Sequence, residues 1–185
     1  MQKDLNYACV CDILNSTRYY LFKENNMKNN ELTIDHSIIA EELFRGGCNC
    51  AQSTFCAFCD VMKMDKDAAL RISSSFGGGM GRLREVCGAL SGILMVCGVL
   101  YGYSDVTDPS LKAEHYALVQ EVARRFREKH GTIICRELLS GIEVDSSPNP
   151  SARTEQFYRI RPCAMIVRSA AAILDEIIAE RTQNM

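Results

Sequence analysis

Cysteine is the residue type in this chain best able to do chemistry. Ten occur, at positions 9, 11, 48, 50, 56, 59, 87, 97, 135 and 163. The working form is the thiolate, which attacks disulfides, reduces oxidants and binds metals. Four of the ten share one predicted setting. Cys50 falls in the first turn of the helix expected after Gly46-Gly47, and Cys87 lies early in the helix expected after a glycine run. Cys135 sits in the first turn after Gly131-Thr132, and Cys163 directly follows Pro162, a residue favoured at the first helical position. Helix N-termini present unpaired N–H groups and the positive end of the helix dipole, both of which favour a thiolate. The bland alternative is that all four are buried cysteines acting as small hydrophobes.

The other cysteines divide differently. Cys56 and Cys59 form a C-x-x-C, but it falls in the middle of a predicted helix, amid Phe55, Ala57, Phe58 and Val61, and not at a helix start after a strand. Core packing is the expected role. Cys97, deep in an apolar stretch, is expected to be filler. Cys48 stands two residues from Cys50 and is either a resolving thiol or incidental, the second being favoured. Cys9 and Cys11 lie in an appended segment, where their spacing directs them to different helix faces.

Glycines and charges surround these thiols. The run from Phe76 to Arg82 invites comparison with anion-binding loops, yet it lacks the Gly-Lys-Ser/Thr ending of a P-loop and any preceding strand. A tight interhelical turn with positive φ is the favoured reading, and a close wrap around the Cys87 site is the second. Gly77, Gly78, Gly79, Arg82 and Gly88 are therefore the candidates for contact with a ligand or cofactor. Gly88 and Gly92 would also let a helix or cofactor approach the backbone beside Cys87. Arg82 and Arg84 are placed to stabilise a thiolate or bind an acidic ligand, or else simply to be solvated. His36, His115 and His130 show no ligand-like pairing and read as surface or satisfied histidines.

These residues must be positioned by helices. Residues 33–185 form the predicted four-cysteine domain, preceded by an appended helix and linker over 1–32. Ile38, Ile39, Leu43 and Phe44 give helical spacing, stopped by Gly46-Gly47. A second helix is predicted over 49–62 with Asn49 as cap, and a third opens at Asp65. A long apolar helix is predicted over 83–101. Asp108-Pro109 reads as N-cap and first position of a helix running to 129 and stopped by His130-Gly131. Thr132 is the expected cap of a short helix through Cys135. Residues 140–153 read as loop, and the last helix covers 162–180. No segment shows sustained strand alternation. The predicted fold is all-α, a multi-helix bundle with short connections and a glycine-rich interhelical turn.

Composition narrows the function. The chain has 185 residues, 47% of them hydrophobic and 24% charged, enough for a core without disulfide staples. A net charge of −2, with scattered Lys and Arg, gives no electrostatic case for nucleic acid. No stretch reaches the roughly 18 apolar residues of a membrane span. The start of the chain lacks a basic segment leading into an apolar run and cleavage site, so a cytoplasmic location is expected. In such a reducing compartment, ten thiols point to metal, redox chemistry or apolar filler.

Several stretches together resemble a known family. They are Phe44-Arg45-Gly46-Gly47-Cys48-Asn49-Cys50-Ala51-Gln52, Phe76-Gly77-Gly78-Gly79-Met80-Gly81-Arg82 and Glu85-Val86-Cys87-Gly88-Ala89-Leu90-Ser91-Gly92, followed by Cys135-Arg136-Glu137-Leu138-Leu139 and Arg161-Pro162-Cys163. In this combination the chain resembles the redox-active C_GCAxxG_C_C family, small bacterial and archaeal proteins named for a four-cysteine pattern. The resemblance covers about residues 35–180 and implies that Cys50, Cys87, Cys135 and Cys163 are the functional set. Residues 1–30, Cys48, Cys56, Cys59 and Cys97 depart from the pattern.

Three functions compete on this basis. In a thiol oxidoreductase the four cysteines would cycle between dithiol and disulfide, with Cys87 or Cys50 attacking and Cys135 and Cys163 resolving; the partner would be a redox protein or a small thiol. Alternatively the same four thiolates would ligate an iron–sulfur cluster or another metal. In a helical accessory module they would be structural only. Sulfurs paired within bridging distance would favour exchange, and four around one cavity would favour metal. The long apolar helix would also suit a homodimer core.

Overall fold

Short polar side chains set the starts of the helices. The computed structural model of the protein describes residues 34–145 and 147–183. The appended helix expected within 1–32, with Cys9 and Cys11, lies outside these described residues. Helix α1 (His36–Arg45) is capped by Asp35, whose carboxylate accepts from the Ser37 N–H, and ends at Gly46. Helix α2 (Cys50–Cys56) opens with a reciprocal capping box. The Asn49 side chain accepts from the Ala51 and Gln52 N–H groups, and Gln52 accepts from the Asn49 N–H. Helix α3 (Cys59–Met62) follows, and Asp65 caps α4 (Lys66–Ser73).

The predicted helix over 49–62 is thus two helices. Its break falls at 57–58, where Phe58 is fully buried and stacks on the His36 ring at 4.2 Å. The C-x-x-C straddles this break instead of lying mid-helix.

After α4 come a short 3-10 turn, Ser74–Phe76, and the turn Gly77–Met80. Left-handed backbone persists well past the glycines, at Met80 (φ 63°), Arg82 (φ 70°) and Arg84 (φ 64°). Such residues cannot continue a right-handed helix. The helix expected from 83 therefore starts five residues later, as α5 (Gly88–Tyr101). Residues 84–87 instead pair with 133–136. Cys87 N–H donates to Ile133 C=O at 2.8 Å and Cys135 N–H to Glu85 C=O at 2.6 Å, around an isolated antiparallel bridge between Val86 and Ile134.

Helix α6 (Pro109–His130) begins as expected, with Asp108 accepting from the Ser110 N–H and Pro109 at the first position. Helix α7 (Cys135–Leu138) is capped at Ile134; Thr132 lies further out, accepting from the Ile134 N–H. A helix absent from the sequence reading, α8 (Glu155–Ile160), is capped by Thr154, whose hydroxyl accepts from the Phe157 N–H. The last helix, α9, runs Cys163–Gln183.

The fold is all-α. Helix α9 packs along α1, α2 along α5, and α5 and α9 against each other, with α6 covering both. Phe44, Phe55, Phe126, Leu90, Ile93, Val96, Val122, Val167, Ile173 and Leu174 fill the space between them. Burying a side chain of this size contributes about 1.5–3 kcal/mol. Among the described residues no helix is long and apolar enough to cross a membrane. The apolar α5 finds cover within the chain: Ile93, Val96 and Cys97 are fully buried.

His36 is an exception to the apolar interior. It is buried at the start of α1, its Nδ1 lies 2.5 Å from Asp175 Oδ1, and its Nε2 lies 3.3 Å from Asp60. Burial opposes a charge there, but hydrogen bonds to Asp175 and Asp60 outweigh it and raise the pKa to about 9. His36 is a satisfied histidine, as expected, and a charged one.

Candidate functional site

Four helix starts meet at one end of the bundle. Cys50, Cys135 and Cys163 are each the first residue of their helices, α2, α7 and α9, and Cys87 is the N-cap of α5. All four line one cavity of about 20 Å³, closed by Gly88, Ala89, Leu138, Leu139 and Ile166. That volume admits about one water molecule. Among the described residues no group of three or more Cys, His, Asp or Glu is placed to hold a metal ion. Four cysteines around one cavity is the arrangement expected to favour a metal, but this cavity holds no more than about one water, so ligation of a metal or iron–sulfur cluster by Cys50, Cys87, Cys135 and Cys163 would require the cavity walls to move.

Two glycines allow the approach. A Cβ on Gly88 would stand 2.7 Å from Phe76 C=O and 3.1 Å from the Cys50 Cβ, and one on Gly79 would stand 2.7 Å from the Cys135 Cβ. Gly79 also has φ +70°. These glycines hold α5 and the turn against the cysteine-bearing backbones. Forcing a methyl into such a contact costs about 1–3 kcal/mol. Gly77 and Gly78 line a neighbouring, larger cleft, together with Arg82.

The helix-start setting does not by itself make thiolates. Burial pushes Cys87 up to about 12 and raises Cys135, which a hydrogen bond from Arg84 only partly offsets. Cys50 is different. The Cys163 thiol donates a hydrogen bond to its sulfur and, with the Arg153 charge and the Gly78 N–H, brings Cys50 down to about 7 against burial. The same bond, with burial and the surrounding sulfurs, pushes Cys163 up. Cys50 is thus the thiol of the cluster drawn toward the thiolate, and Cys163 the one held protonated.

Outside this cluster, Cys97 is buried and pushed up to about 12, in keeping with filler. Burial also raises Cys48. Cys56 is buried and donates to the sulfur of Cys59, which lowers Cys59 and raises Cys56.

Arginines frame the cluster, two of which the sequence reading missed. Arg84 is 8% exposed and donates to Asp145 C=O at 2.9 Å. Arg82 holds the 145–151 loop through Ser147 C=O at 2.6 Å, Asp145 C=O at 2.8 Å and the Ser151 hydroxyl at 3.2 Å. Arg153 donates to Cys48 C=O at 3.0 Å and lies 4.3 Å from the centre of the Phe44 ring. Arg161 lies 4.7 Å from the centre of the Phe157 ring. The available signal was Arg161-Pro162-Cys163, which ties a guanidinium to a thiol in sequence.

An all-α bundle that gathers four cysteines from four helix starts onto one cavity is a helical thiol protein. The chain belongs to the family described as "Putative redox-active protein (C_GCAxxG_C_C)", whose model matches residues 48–177. No curated protein and no solved structure matches it. Membership supports a redox role.

Proposed function

We propose that the protein is a thiol redox protein in which Cys50 and Cys163 interconvert between dithiol and disulfide. The observation that carries this reading is the meeting of Cys50 and Cys163, the first residues of α2 and α9, on one small cavity, where Cys163 draws Cys50 toward the thiolate and itself stays a thiol. Cys50 is the attacking thiolate and Cys163 the resolving thiol. Closing the S–S bond passes two electrons and two protons to an oxidant, either a redox partner's disulfide or a small disulfide. Cys135, on the same cavity, is raised by burial and stays a thiol beside the pair. Cys87, buried and held near 12, packs the cavity wall and does not attack.

Mild diamide oxidation of the full chain, followed by peptide mapping, tests this. The expected result is the loss of two thiols and a single linked pair of peptides containing Cys50 and Cys163. Linkage that leaves Cys50 free overturns the proposal. So does anaerobic uptake of iron and sulfide that protects Cys50, Cys87, Cys135 and Cys163 together from alkylation.

A further inference from the structure

Beside the thiol cavity lies a cleft of about 400 Å³ whose lining includes Cys50, Cys135 and Cys163. Four guanidiniums line it, Arg82, Arg84, Arg153 and Arg161, and no carboxylate does among the described residues. The nearest acid, Asp145, pairs with Arg82 at 3.3 Å and neutralises one charge at most. Arg84 is more than nine-tenths buried, and its Nε has no hydrogen-bond partner among the described residues. The Arg161 guanidinium stacks on Phe157, and no hydrogen bond or ion pair holds it among the described residues. Burial holds its pKa below the usual arginine range against the opposing pull of Cys163, and crowding by Arg84 and Arg82 adds to the lowering. A buried donor without an acceptor and a crowd of like charges only partly neutralised by Asp145 and the thiols are costly features. A bound anion would relieve both.

The size of the cleft narrows the anion. About 400 Å³ falls within the usual range for small-molecule pockets, about 300–1,000 Å³, and exceeds what a single tetrahedral oxyanion fills. Guanidiniums spaced around a cleft match carboxylates, which they bind through two parallel N–H bonds. Phe44, Phe157, Pro148 and Pro150 supply apolar wall for the ligand's carbon skeleton.

We propose that this cleft is the substrate site of the thiol pair and takes a small-molecule disulfide bearing carboxylates. The inference rests on the thiol-exchange reading above and adds the substrate class. Cys50 thiolate attacks one sulfur of the substrate RS–SR. The substrate S–S bond breaks, a mixed disulfide forms on Cys50, and the first RS⁻ leaves and takes up a proton. Cys163 then loses its proton, and its sulfur attacks Cys50 Sγ. The second RS⁻ is expelled and takes that proton. In balance, one disulfide is reduced to two thiols and the Cys50–Cys163 dithiol is oxidised to one disulfide.

The test measures stopped-flow oxidation of the reduced full-length chain by three disulfides. Oxidised glutathione is anionic, 2-hydroxyethyl disulfide is neutral and cystamine is cationic; each rate is divided by that of free cysteine under the same conditions. Electrostatic attraction of this kind alters rates by about 10- to 10³-fold, so oxidised glutathione is expected to lead cystamine by at least about tenfold at low salt. The preference should shrink in 0.5 M KCl (a chosen test concentration, about an order of magnitude above low salt, where screening is strong). Arg161→Gln should collapse it, and Arg161→Lys should retain part of it. Equal normalised rates for the anionic and cationic disulfides overturn the substrate assignment while leaving thiol exchange intact. A preference that survives both salt and Arg161→Gln also overturns it. Failure of all three disulfides to oxidise Cys50 overturns the exchange reading itself.

Discussion

Replacing Cys50 by serine is expected to slow mixed-disulfide formation within the four-cysteine cluster at pH 7, read peptide by peptide, by at least about tenfold, because the thiols left there are held protonated. The cause is specific to this position. Cys50 is brought to about 7, whereas Cys87 stands near 12 and Cys135 and Cys163 are both raised. Alkylation of the unmodified chain, followed peptide by peptide, should show the Cys50 peptide reacting first, with a midpoint near pH 7. Resolution by peptide matters because Cys59 is also lowered, by its bond from Cys56. The hydrogen bond can be tested separately. Cys163→Ala removes the donor and should move the Cys50 midpoint upward by at least about one pH unit, back toward an ordinary thiol near 8.5. An unchanged midpoint would show that Cys163 does not hold the Cys50 thiolate.

The second large effect concerns stability and lies away from the thiols. His36 titrates near 9 in the folded chain, because its bonds to Asp175 and Asp60 outweigh the cost of burying it. In an unfolded chain it would titrate near 6.5. A raised folded pKa means that the folded state holds the proton more tightly. The stabilisation is fully present below about pH 6.5 and is lost as pH rises through about 9. A shift of this size corresponds to about 3 kcal/mol, or about 6–12 °C in melting temperature for a chain of this length. Urea unfolding from pH 6 to 10 should show that decline in the unmodified chain and a much flatter profile in His36→Gln. The difference between the two profiles isolates His36 from the thiols that titrate in the same range. Parallel profiles would contradict the assignment of a buried cation.

Local signals in the sequence predicted much of this fold. Asn49, Asp65 and Asp108-Pro109 cap helices where their side chains read as caps, because capping depends on neighbours two or three residues away. The four helix-start cysteines were legible for the same reason, and they do converge on one cavity. Features set by distant partners were not. Left-handed Arg84 sits where 84–87 pair with 133–136, and no local propensity announces that pairing. The charge on His36 depends on Asp60 and Asp175, 24 and 139 residues away. The arginine cleft draws its guanidiniums from segments far apart in the chain. Their net effect on Cys50 and its surroundings appears only once the chain is folded. Position at a helix start located the thiols but did not rank their acidities, since burial and the bond between Cys50 and Cys163 outweigh the end of a short helix.

The central claim is that Cys50 and Cys163 form one reversible two-electron couple. Its most direct measurement is a redox titration of the full chain in defined ratios of reduced and oxidised dithiothreitol, quenched by alkylation and read by mass spectrometry of the Cys50 and Cys163 peptides. The account predicts a single reversible transition in which both peptides lose alkylation together, and which Cys163→Ala abolishes. Independent behaviour of the two peptides, or a transition that persists in Cys163→Ala, would contradict it.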